Sequence, residues 1–457
     1  MRRVVGYFAA FVCLCVAGAI VFAVAPRARP VVAAQPPQPN ARTAVWSLRR
    51  VPALLGVPVA GARLTVSLRA ALAGTESCVS VVSAGGVRAN VAPNDPQIPA
   101  STIKLLTAIA ALRTFGPDHR FTTRVFQGAA PRQIIVVGGG DPLLATPAYE
   151  AALHTAPRWH NAPVLLISHL ADAIRNAGVR AVSSIIVDDT RHEAVRYLPQ
   201  WKAGYGDTGD IGALGALTVD GGFADPTLRK PADDPALLTG TRLAEALRSA
   251  GVAVTGGIAH GLVPEGAREI AHLDSLPLGA MIGEMITASD DGIAEMLLRE
   301  IGVARAHEGT TAAGARAEVD IMRELSVPTA GMVVLDGSGL ARGDRLTCDA
   351  LLHIVQLITT KPFAILNGAL PIAGATGTLT GRFLGDALAG KLRAKTGTLS
   401  NVAGLAGVID LGSRPRFAML LSGAFSRAGG EELENSVVHR IAAAPAPGPA
   451  AAAVPRP

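Results

Sequence analysis

Apolar side chains recur at helical spacing between residues 98 and 115. They fall every three residues and would line one buried face of a helix: Ile103, Leu106, Ile109 and Leu112. Pro99 stands just before this pattern, where proline suits the entry to a helix. We therefore predict a buried helix that starts near Ser101.

Runs rich in β-branched residues predict strands near both ends of the chain. Segments 78–82 and 87–91 flank an Ala-Gly-Gly sequence that is typical of a hairpin turn. Further runs lie near the C-terminus, at 392–398, 402–409 and 417–423, and a helix is predicted after them at 431–441. Strands from both ends with helices between them predict an α+β fold, in which helices cover one antiparallel sheet.

The middle of the chain has a different pattern. An apolar strand at 134–137 ends in a Gly-Gly-Gly-Asp-Pro turn, and two later segments each predict a helix that stops at glycine before a strand: 170–179 and 243–252. The turn lacks the Lys-Ser/Thr ending of a phosphate loop, so we interpret it as structural. The repeated helix–strand units predict an inserted domain at 120–275, and the main domain would combine 45–119 with 276–441.

The N-terminal residues predict export. Two arginines precede 22 uncharged residues, 4–25, which are enough to span a bilayer with the N-terminus in the cytoplasm. An Ala-x-Ala sequence at 23–25 also offers a signal-peptidase site, so cleavage stays open and an uncleaved membrane anchor is slightly favoured. The predicted location is the periplasm, or the outer face of the cytoplasmic membrane or cell wall. A Pro-rich linker at 26–44 and a disordered Ala/Pro tail at 442–457 flank the folded part.

Composition narrows the function classes. Of 457 residues, 49% are hydrophobic and 17% are charged, which is typical of a globular protein. The net charge of +6 suits an anionic bacterial envelope. The sequence has no dense basic run or aromatic platform, which argues against nucleic acid as a partner. No C-x-x-C or H-E-x-x-H spacing occurs, so we predict no metal site.

Cys78 and Cys348 are the only cysteines beyond the N-terminal apolar segment. An exported protein meets oxidising conditions, under which these two can form a disulfide between the first strand and a predicted helix at 349–358. Two buried free thiols are the alternative, because spacing alone does not fix the geometry of a bridge.

Ser101 and Lys104 form the first candidate for chemistry. They stand three residues apart, so one helical turn places the hydroxyl and the amine on the same face. The serine would lie among the free N–H groups of a helix start, and the amine could accept its proton. The chain has only six lysines among 42 basic residues, and arginine serves elsewhere as a positive charge that cannot lose its proton. A plain core helix that happens to carry these two residues is the alternative.

Two further segments carry polar residues inside apolar patterns. Ser289, Asp290 and Asp291 interrupt a predicted helical region at 276–301. The alternative interpretation is that they form a helix-capping turn with no part in chemistry. The sequence Lys-Thr-Gly-Thr at 395–398 lies on a predicted strand, and a glycine in mid-strand often marks the close approach of a ligand. An exposed lysine on an edge strand is the alternative there.

In this order, S-x-x-K, S-D-x and K-T-G resemble the motifs of penicillin-binding proteins and class A β-lactamases. Ser289 lies 188 residues after Ser101, which leaves room for a whole extra domain that compact β-lactamases lack. The sequence therefore resembles the D-alanyl-D-alanine carboxypeptidase/endopeptidase family, the class C low-molecular-mass penicillin-binding proteins. Further matching phrases lie at 138–142, 187–190, 336–340 and 370–379.

The resemblance implies a β-lactamase/transpeptidase-like antiparallel sheet covered by helices, with a large inserted domain. It also implies serine acyl transfer on peptidoglycan stem peptides that end in D-Ala-D-Ala. Ser101 would attack the penultimate D-Ala carbonyl, Lys104 would take its proton, and Ser289 would relay a proton to the departing D-Ala. Both removal of the terminal D-Ala and cleavage of cross-links are compatible with these motifs.

The third motif would bind the end of the substrate. By resemblance, Lys395 with Thr396, Gly397 and Thr398 holds the terminal carboxylate, and the backbone N–H groups of Ser101 and Thr398 form the oxyanion hole. β-Lactams would acylate Ser101 because they mimic the substrate, and water would hydrolyse the acyl-enzyme. The implied chemistry needs no metal and no organic cofactor.

Asp291 departs from the family pattern, in which the second motif ends in asparagine. An ionised carboxylate cannot donate a hydrogen bond to the substrate carbonyl, and an anion near Lys104 favours the protonated amine, which is the wrong state for a base. A catalytically weak peptidoglycan-binding homologue is therefore the alternative to an active hydrolase. A β-lactamase is a third interpretation, although no E-x-x-L-N motif is present to supply fast deacylation.

Overall fold

The computed structural model describes residues 51–225 and 230–444, with side chains from residue 56 onward. Helices of the described chain are α1 (Val51–Ala71), α2 (Lys104–Phe115), α3 (Pro147–Leu153), α4 (Ser168–Asn176), α5 (Pro235–Ser249), α6 (Leu278–Thr287), α7 (Asp291–Ala306), α8 (Thr311–Glu324), α9 (Cys348–Leu357), α10 (Ile365–Ala369) and α11 (Arg427–Ala442). Strands are β1 (Glu76–Val82), β2 (Arg88–Val91), β3 (Thr122–Gln127), β4 (Gln133–Val137), β5 (Leu144–Ala145), β6 (Leu165–Leu166), β7 (Ala181–Val182), β8 (Ser184–Asp188), β9 (Ala253–Val254), β10 (Ile258–His260), β11 (Glu269–Asp274), β12 (Leu392–Leu399), β13 (Val402–Ile409) and β14 (Arg416–Ser422).

Strands from the two ends of the chain form one antiparallel sheet with the order β12-β13-β14-β1-β2. The N-terminal strand β1 pairs with the C-terminal strand β14 from Glu76 opposite Ser422 to Val82 opposite Arg416. The predicted hairpin is β1 with β2. The α+β prediction is confirmed, and the C-terminal strands begin and end within one residue of their predicted bounds.

The middle of the chain builds a second five-stranded sheet with the order β10-β8-β4-β3-β11. Strands β4, β8 and β10 run parallel, while β3 pairs antiparallel with β4 and β11. The two predicted helix–strand units are α4 with β7 and α5 with β9, and the two short strands pair with each other. Apolar side chains of these elements form a core of their own around Leu170 and Leu243. The division at 120–275 into an inserted domain stays a prediction.

Helix α2 is buried on every side for most of its length. Residues 104–112 are all buried, and they share one apolar core with α6, α7, α8 and α9. The predicted helix start near Ser101 needs a small correction, because residues 100–103 form a 3₁₀ turn and the α-helix begins at Lys104. The carbonyl of Pro99 accepts from both the amide and the hydroxyl of Thr102, which tightens this turn.

The chain ends bear on several predictions. The N-terminal segment 1–25, the linker 26–44 and residues 445–457 of the Ala/Pro tail lie outside the described residues. Within 51–225 and 230–444, none of the helices is long and apolar enough to cross a membrane. Helix α11 begins at Arg427, earlier than the predicted 431, because the hydroxyl of Ser426 accepts from the amide of Gly429 and caps the first turn.

Cys78 and Cys348 form a disulfide that joins β1 to the first residue of α9. Both cysteines are fully buried. Of the two alternatives that the sequence leaves open, the structure has the bridge. It ties the central sheet to the helices that cover it.

Candidate active site

Ser101 and Lys104 lie where the 3₁₀ turn passes into α2. The amine nitrogen Nζ of Lys104 is 2.9 Å from Oγ of Ser101. Lys104 is fully buried, whereas Ser101 is partly exposed and lines a cleft. One helical turn thus places a reactive hydroxyl at the surface of the cleft and an amine directly beneath it.

Lys104 has two further partners. Its Nζ lies 2.5 Å from Oδ1 of Asp291 and 2.6 Å from the carbonyl oxygen of Ser338. A protonated amine can donate to all three oxygens. A neutral amine has two N–H groups for Asp291 and Ser338, and its lone pair is then left for the hydroxyl proton of Ser101. The same geometry therefore fits the side chain before and after it takes a proton.

The Ser-Asp-Asp sequence lies at the junction between α6 and α7, and its members have different roles. Asp290 caps α7, because its Oδ1 accepts from the amide of Ile293 at 2.8 Å. Asp291 is the first residue of α7, where the positive end of the helix stabilises its charge. Ser289 has a left-handed backbone with φ of 61°, which is strained for a residue with a side chain. The cap alternative thus holds for Asp290 alone, and the other two side chains line the cleft.

Lys395 lies on β12, the edge strand of the central sheet, and is fully buried. Its Nζ donates to Oγ of Ser289 at 2.7 Å and to the carbonyl of Thr396 at 3.0 Å. Burial lowers the pKa of Lys395 well below that of an ordinary lysine, and the nearby charges of Lys104 and Arg158 act in the same direction. The exposed-lysine alternative is therefore wrong.

Because Gly397 has no side chain, β12 can lie close to the 3₁₀ turn that carries Ser101. A Cβ atom on this residue would lie 2.6 Å from the carbonyl oxygen of Pro99. The neighbouring Thr396 and Thr398 line the cleft, and the hydroxyl of Thr396 donates to that of Thr378 at 2.7 Å. All three sequence motifs therefore converge on one place.

A loop at 336–341 completes the site, and the sequence predicts no role for it. Glu295 of α7 accepts from the amides of Gly337 and Ser338 at 3.0 and 2.8 Å, which holds the Ser338 carbonyl towards Lys104. Asp336 accepts from the amides of Gly339 and Ala341 and from the indole of Trp201. From the sequence, residues 336–340 are only one of the phrases that match the family, because no residue type marks the position of a backbone carbonyl.

The cleft has a volume of about 530 Å³. Ser101, Ser289, Asp291, Thr396 and Thr398 line it, while Lys104 and Lys395 lie fully buried beneath them. Other lining residues were not foreseen: Arg158, Lys202, Tyr205 and Asp210 from the middle of the chain, and Arg382 and Arg427 from the C-terminal part. Among the described residues no group of three or more His, Cys, Asp and Glu side chains is arranged to hold a metal ion.

Comparisons with known proteins identify the family of the chain. Residues 67–233 and 228–444 match the D-Ala-D-Ala carboxypeptidase 3 (S13) family. The carboxypeptidase Rv3627c of Mycobacterium tuberculosis is 36% identical over 327 residues, which cover 69% of this chain and 68% of that protein. The D-alanyl-D-alanine carboxypeptidase of Actinomadura sp. (strain R39) is 30% identical over 379 residues, covering 68% of this chain and 70% of the relative.

A solved structure supports the fold. Penicillin binding protein 4 (dacB) from Haemophilus influenzae superimposes with a TM-score of 0.69 at 17% identity, covering 82% of this chain and 98% of that chain. A second structure of that protein is complexed with a β-lactam. The matched residues include all three motifs, and the chain belongs to the D-Ala-D-Ala carboxypeptidase 3 (S13) family of serine-type enzymes.

Proposed function

We propose that this carboxypeptidase trims peptidoglycan stem peptides ending in D-Ala-D-Ala through an acyl-enzyme on Ser101. The observation that carries the proposal is the pairing of Ser101 Oγ with the buried Nζ of Lys104 at 2.9 Å. A nucleophile and its base must lie within hydrogen-bond reach, and the hydroxyl must be open to the substrate. Both conditions are met.

Acylation begins when Ser101 Oγ attacks the carbonyl of the penultimate D-Ala. Its proton passes to Lys104, whose remaining N–H groups stay bonded to Asp291 and Ser338. Negative charge then develops on the carbonyl oxygen of the substrate. In this proposal the backbone N–H groups of Ser101 and Thr398 stabilise that oxyanion.

The peptide bond breaks when the departing D-Ala nitrogen receives a proton. Ser289 supplies it in this proposal, because its hydroxyl lies 2.7 Å from Nζ of Lys395 and also borders the cleft. Lys395 replaces the proton that Ser289 gives up. A water molecule then attacks the ester carbonyl and gives one proton back to Lys395 through Ser289. Lys104 returns its proton to Oγ of Ser101 as the ester bond breaks, and the shortened peptide leaves with a new carboxyl group.

The terminal carboxylate of the substrate supplies the binding energy at the other end of the cleft. Thr398 offers it a hydroxyl donor, Thr396 offers a second when its hydroxyl turns away from Thr378, and Lys395 offers a positive charge in a buried place. A charge-assisted hydrogen bond is about twice as strong as a neutral one. A β-lactam that carries the equivalent carboxylate would bind in the same way and acylate Ser101.

Asp291 supports a second candidate function, that of a catalytically weak protein that binds peptidoglycan. Its carboxylate lies 2.5 Å from the amine that must act as base. It also offers the substrate carbonyl an acceptor where a donor is needed. The two candidates predict the same ligand and differ only in turnover.

The substrate belongs to the cell wall, so the proposed reaction takes place outside the cytoplasm. Export by residues 1–25, with or without a retained membrane anchor, stays a prediction. Partners in this proposal are stem peptides and β-lactams, and none is a nucleic acid.

Release of D-Ala tests the proposal directly. The purified protein is incubated with a pentapeptide ending in D-Ala-D-Ala and with the same peptide ending in D-Ala-L-Ala, and free alanine is measured. Release from the first peptide alone supports carboxypeptidase action. Cleavage of a cross-linked muropeptide dimer would assign endopeptidase action, and binding without release from either substrate would support the second candidate.

A further inference from the structure

Arg158 links the middle of the chain to the second motif. It lies in a 3₁₀ turn at Pro157–Trp159, far in sequence from all three motifs. Although the residue as a whole is exposed, its guanidinium donates to two successive backbone carbonyls at the junction of α6 and α7. Nε donates to the carbonyl of Ala288, and Nη2 donates to that of Ser289 at 3.1 Å.

One of these carbonyls comes just before the strained backbone of Ser289, and the other comes just after it. Ala288 directly follows α6 as its C-cap residue, and the backbone of Ser289 is left-handed with φ of 61°. A residue with a side chain is strained in that conformation, so surrounding contacts must hold it there. The planar guanidinium is suited to this task because its donors form a rigid fork. It also places a positive charge at the C-terminal end of α6, where it interacts favourably with the negative end of the helix dipole.

Neighbouring side chains and turns hold Arg158 in place. Its guanidinium carbon lies 4.8 Å from the ring centre of Trp159, and that ring packs on a small apolar cluster around Tyr149 and Phe223. The Pro157–Trp159 turn also contacts the turn at Gly377–Leu379. A Cβ atom on Gly377 would lie 2.1 Å from the carbonyl oxygen of Thr287, so this second turn packs directly against the end of α6.

We propose that Arg158 is a positioning residue for Ser289. By fixing the Ala288 and Ser289 carbonyls, it keeps the Ser289 hydroxyl within reach of Lys395 and of the departing amine. The inference rests on the proposed function, in which Ser289 relays a proton. It assigns to the middle of the chain a direct part in the geometry of catalysis.

A double-mutant cycle with Ser289→Ala tests the proposal. Arg158→Met should lower kcat for D-Ala release by about 10- to 100-fold, the loss expected from a misplaced group, while KM changes by less than about 3-fold. In the Ser289→Ala background, Arg158→Met should cause no further loss, because a residue that acts only through the hydroxyl has nothing left to position. Arg158→Lys, which keeps the charge and loses the fork, should fall between wild type and Arg158→Met.

Arg180→Met is the matched control. Arg180 also donates to two backbone carbonyls, those of Arg175 and Val179, at the end of α4 and away from the cleft. This variant should keep wild-type kcat and KM. Equal losses from Arg158→Met with and without the Ser289 hydroxyl would overturn the proposal, as would a rise in KM with unchanged kcat, which would assign Arg158 to substrate binding.

The cycle also separates this inference from the proposed function. Should Ser289→Ala alone leave kcat unchanged, the relay role of Ser289 is wrong. Should it lower kcat while Arg158→Met does not, only the role of Arg158 is wrong.

Discussion

The amine of Lys104 lies 2.5 Å from Oδ1 of Asp291, the last residue of the Ser-Asp-Asp sequence and the first residue of α7. The lysine is fully buried and the carboxylate is only slightly exposed, so little water screens the pair. The carboxylate offers only acceptors, so it provides no hydrogen-bond donor for the carbonyl of a substrate in the cleft.

Asp291→Asn should therefore raise the rate of acylation by penicillin at pH 7 by about 10-fold or more, a change typical of one restored positioning contact. The amide oxygen can still accept from Lys104, and its NH₂ group can donate to the substrate carbonyl. Stopped-flow or quenched labelling with a fluorescent penicillin measures the rate.

Asp210→Asn is a useful control for that experiment, because Asp210 also lines the cleft but does not contact Lys104. A change in the general charge of the cleft would affect both variants. Slower acylation by Asp291→Asn alone would show that the carboxylate takes part in catalysis itself.

The lowered pKa of Lys395 predicts an alkaline limit to activity. Burial and the charges of Lys104 and Arg158 favour loss of its proton, so the ammonium that binds the substrate carboxylate disappears at a lower pH than for an ordinary lysine, whose pKa is about 10.4. The value of kcat/KM should therefore fall on the alkaline side, since this ratio reports groups of the free enzyme. In Lys395→Arg the side chain stays charged, and the alkaline fall should move to higher pH even if the absolute rate is lower. An unchanged alkaline limb would contradict the assignment.

The buried carboxyl group of Glu318 should make the free energy of unfolding depend on pH. It is fully buried on α8, and Oε2 accepts from the hydroxyl of Thr107, while Oε1 has no hydrogen-bond partner among the described residues. Burial, with the charges of Glu295 and Asp336, raises its pKa well above the usual range. The pKa of Glu318 is therefore higher in the folded protein than in the unfolded chain. Glu318 contributes fully to the stability of the fold at low pH, and this contribution is lost as pH rises.

Glu318→Gln should be more stable relative to wild type at pH 8 than at pH 5, by about 1–3 kcal/mol, the usual cost of an unsatisfied buried polar group. Urea unfolding at both pH values measures this difference. Glu324→Gln, at an exposed position on the same helix, should show no such difference. Parallel pH profiles for wild type and Glu318→Gln would rule out the titration of Glu318.

The Cys78–Cys348 disulfide predicts that neither thiol reacts before reduction. Denatured protein treated with iodoacetamide without a reductant should carry no label on either residue in a peptide map, and both should be labelled after reduction. Replacing both cysteines with serine should cost about 2–5 kcal/mol of unfolding free energy. Labels on both residues without reductant would rule out the bridge.

The parts of the site that the sequence predicted are those in which chemistry and local spacing coincide. Ser101 and Lys104 lie one helical turn apart. Residues 395–398 lie on a strand, and the glycine within it, Gly397, indicates a close approach by another group. Local patterns of apolar residues were also enough to predict the hairpin and the C-terminal strands, because each of these elements buries one face or both.

The remaining parts depend on contacts between distant segments. Lys104 and Asp291 are 187 residues apart, and nothing in either segment fixes their distance. The Ser338 carbonyl is a backbone atom that every residue has, so no pattern marks it. Arg158 lies in a short polar turn without periodicity, and its role depends on where the second sheet and its loops pack.

The most direct test of the account is the identity of the residue that becomes acylated. The protein is incubated with penicillin G, digested, and mapped by mass spectrometry, with Ser101→Ala treated in parallel. We expect one adduct on the peptide that contains Ser101 in the wild type and none in Ser101→Ala, with both proteins giving the same far-ultraviolet circular dichroism spectrum. An adduct on another residue, or a covalent adduct on Ser101→Ala, would contradict it.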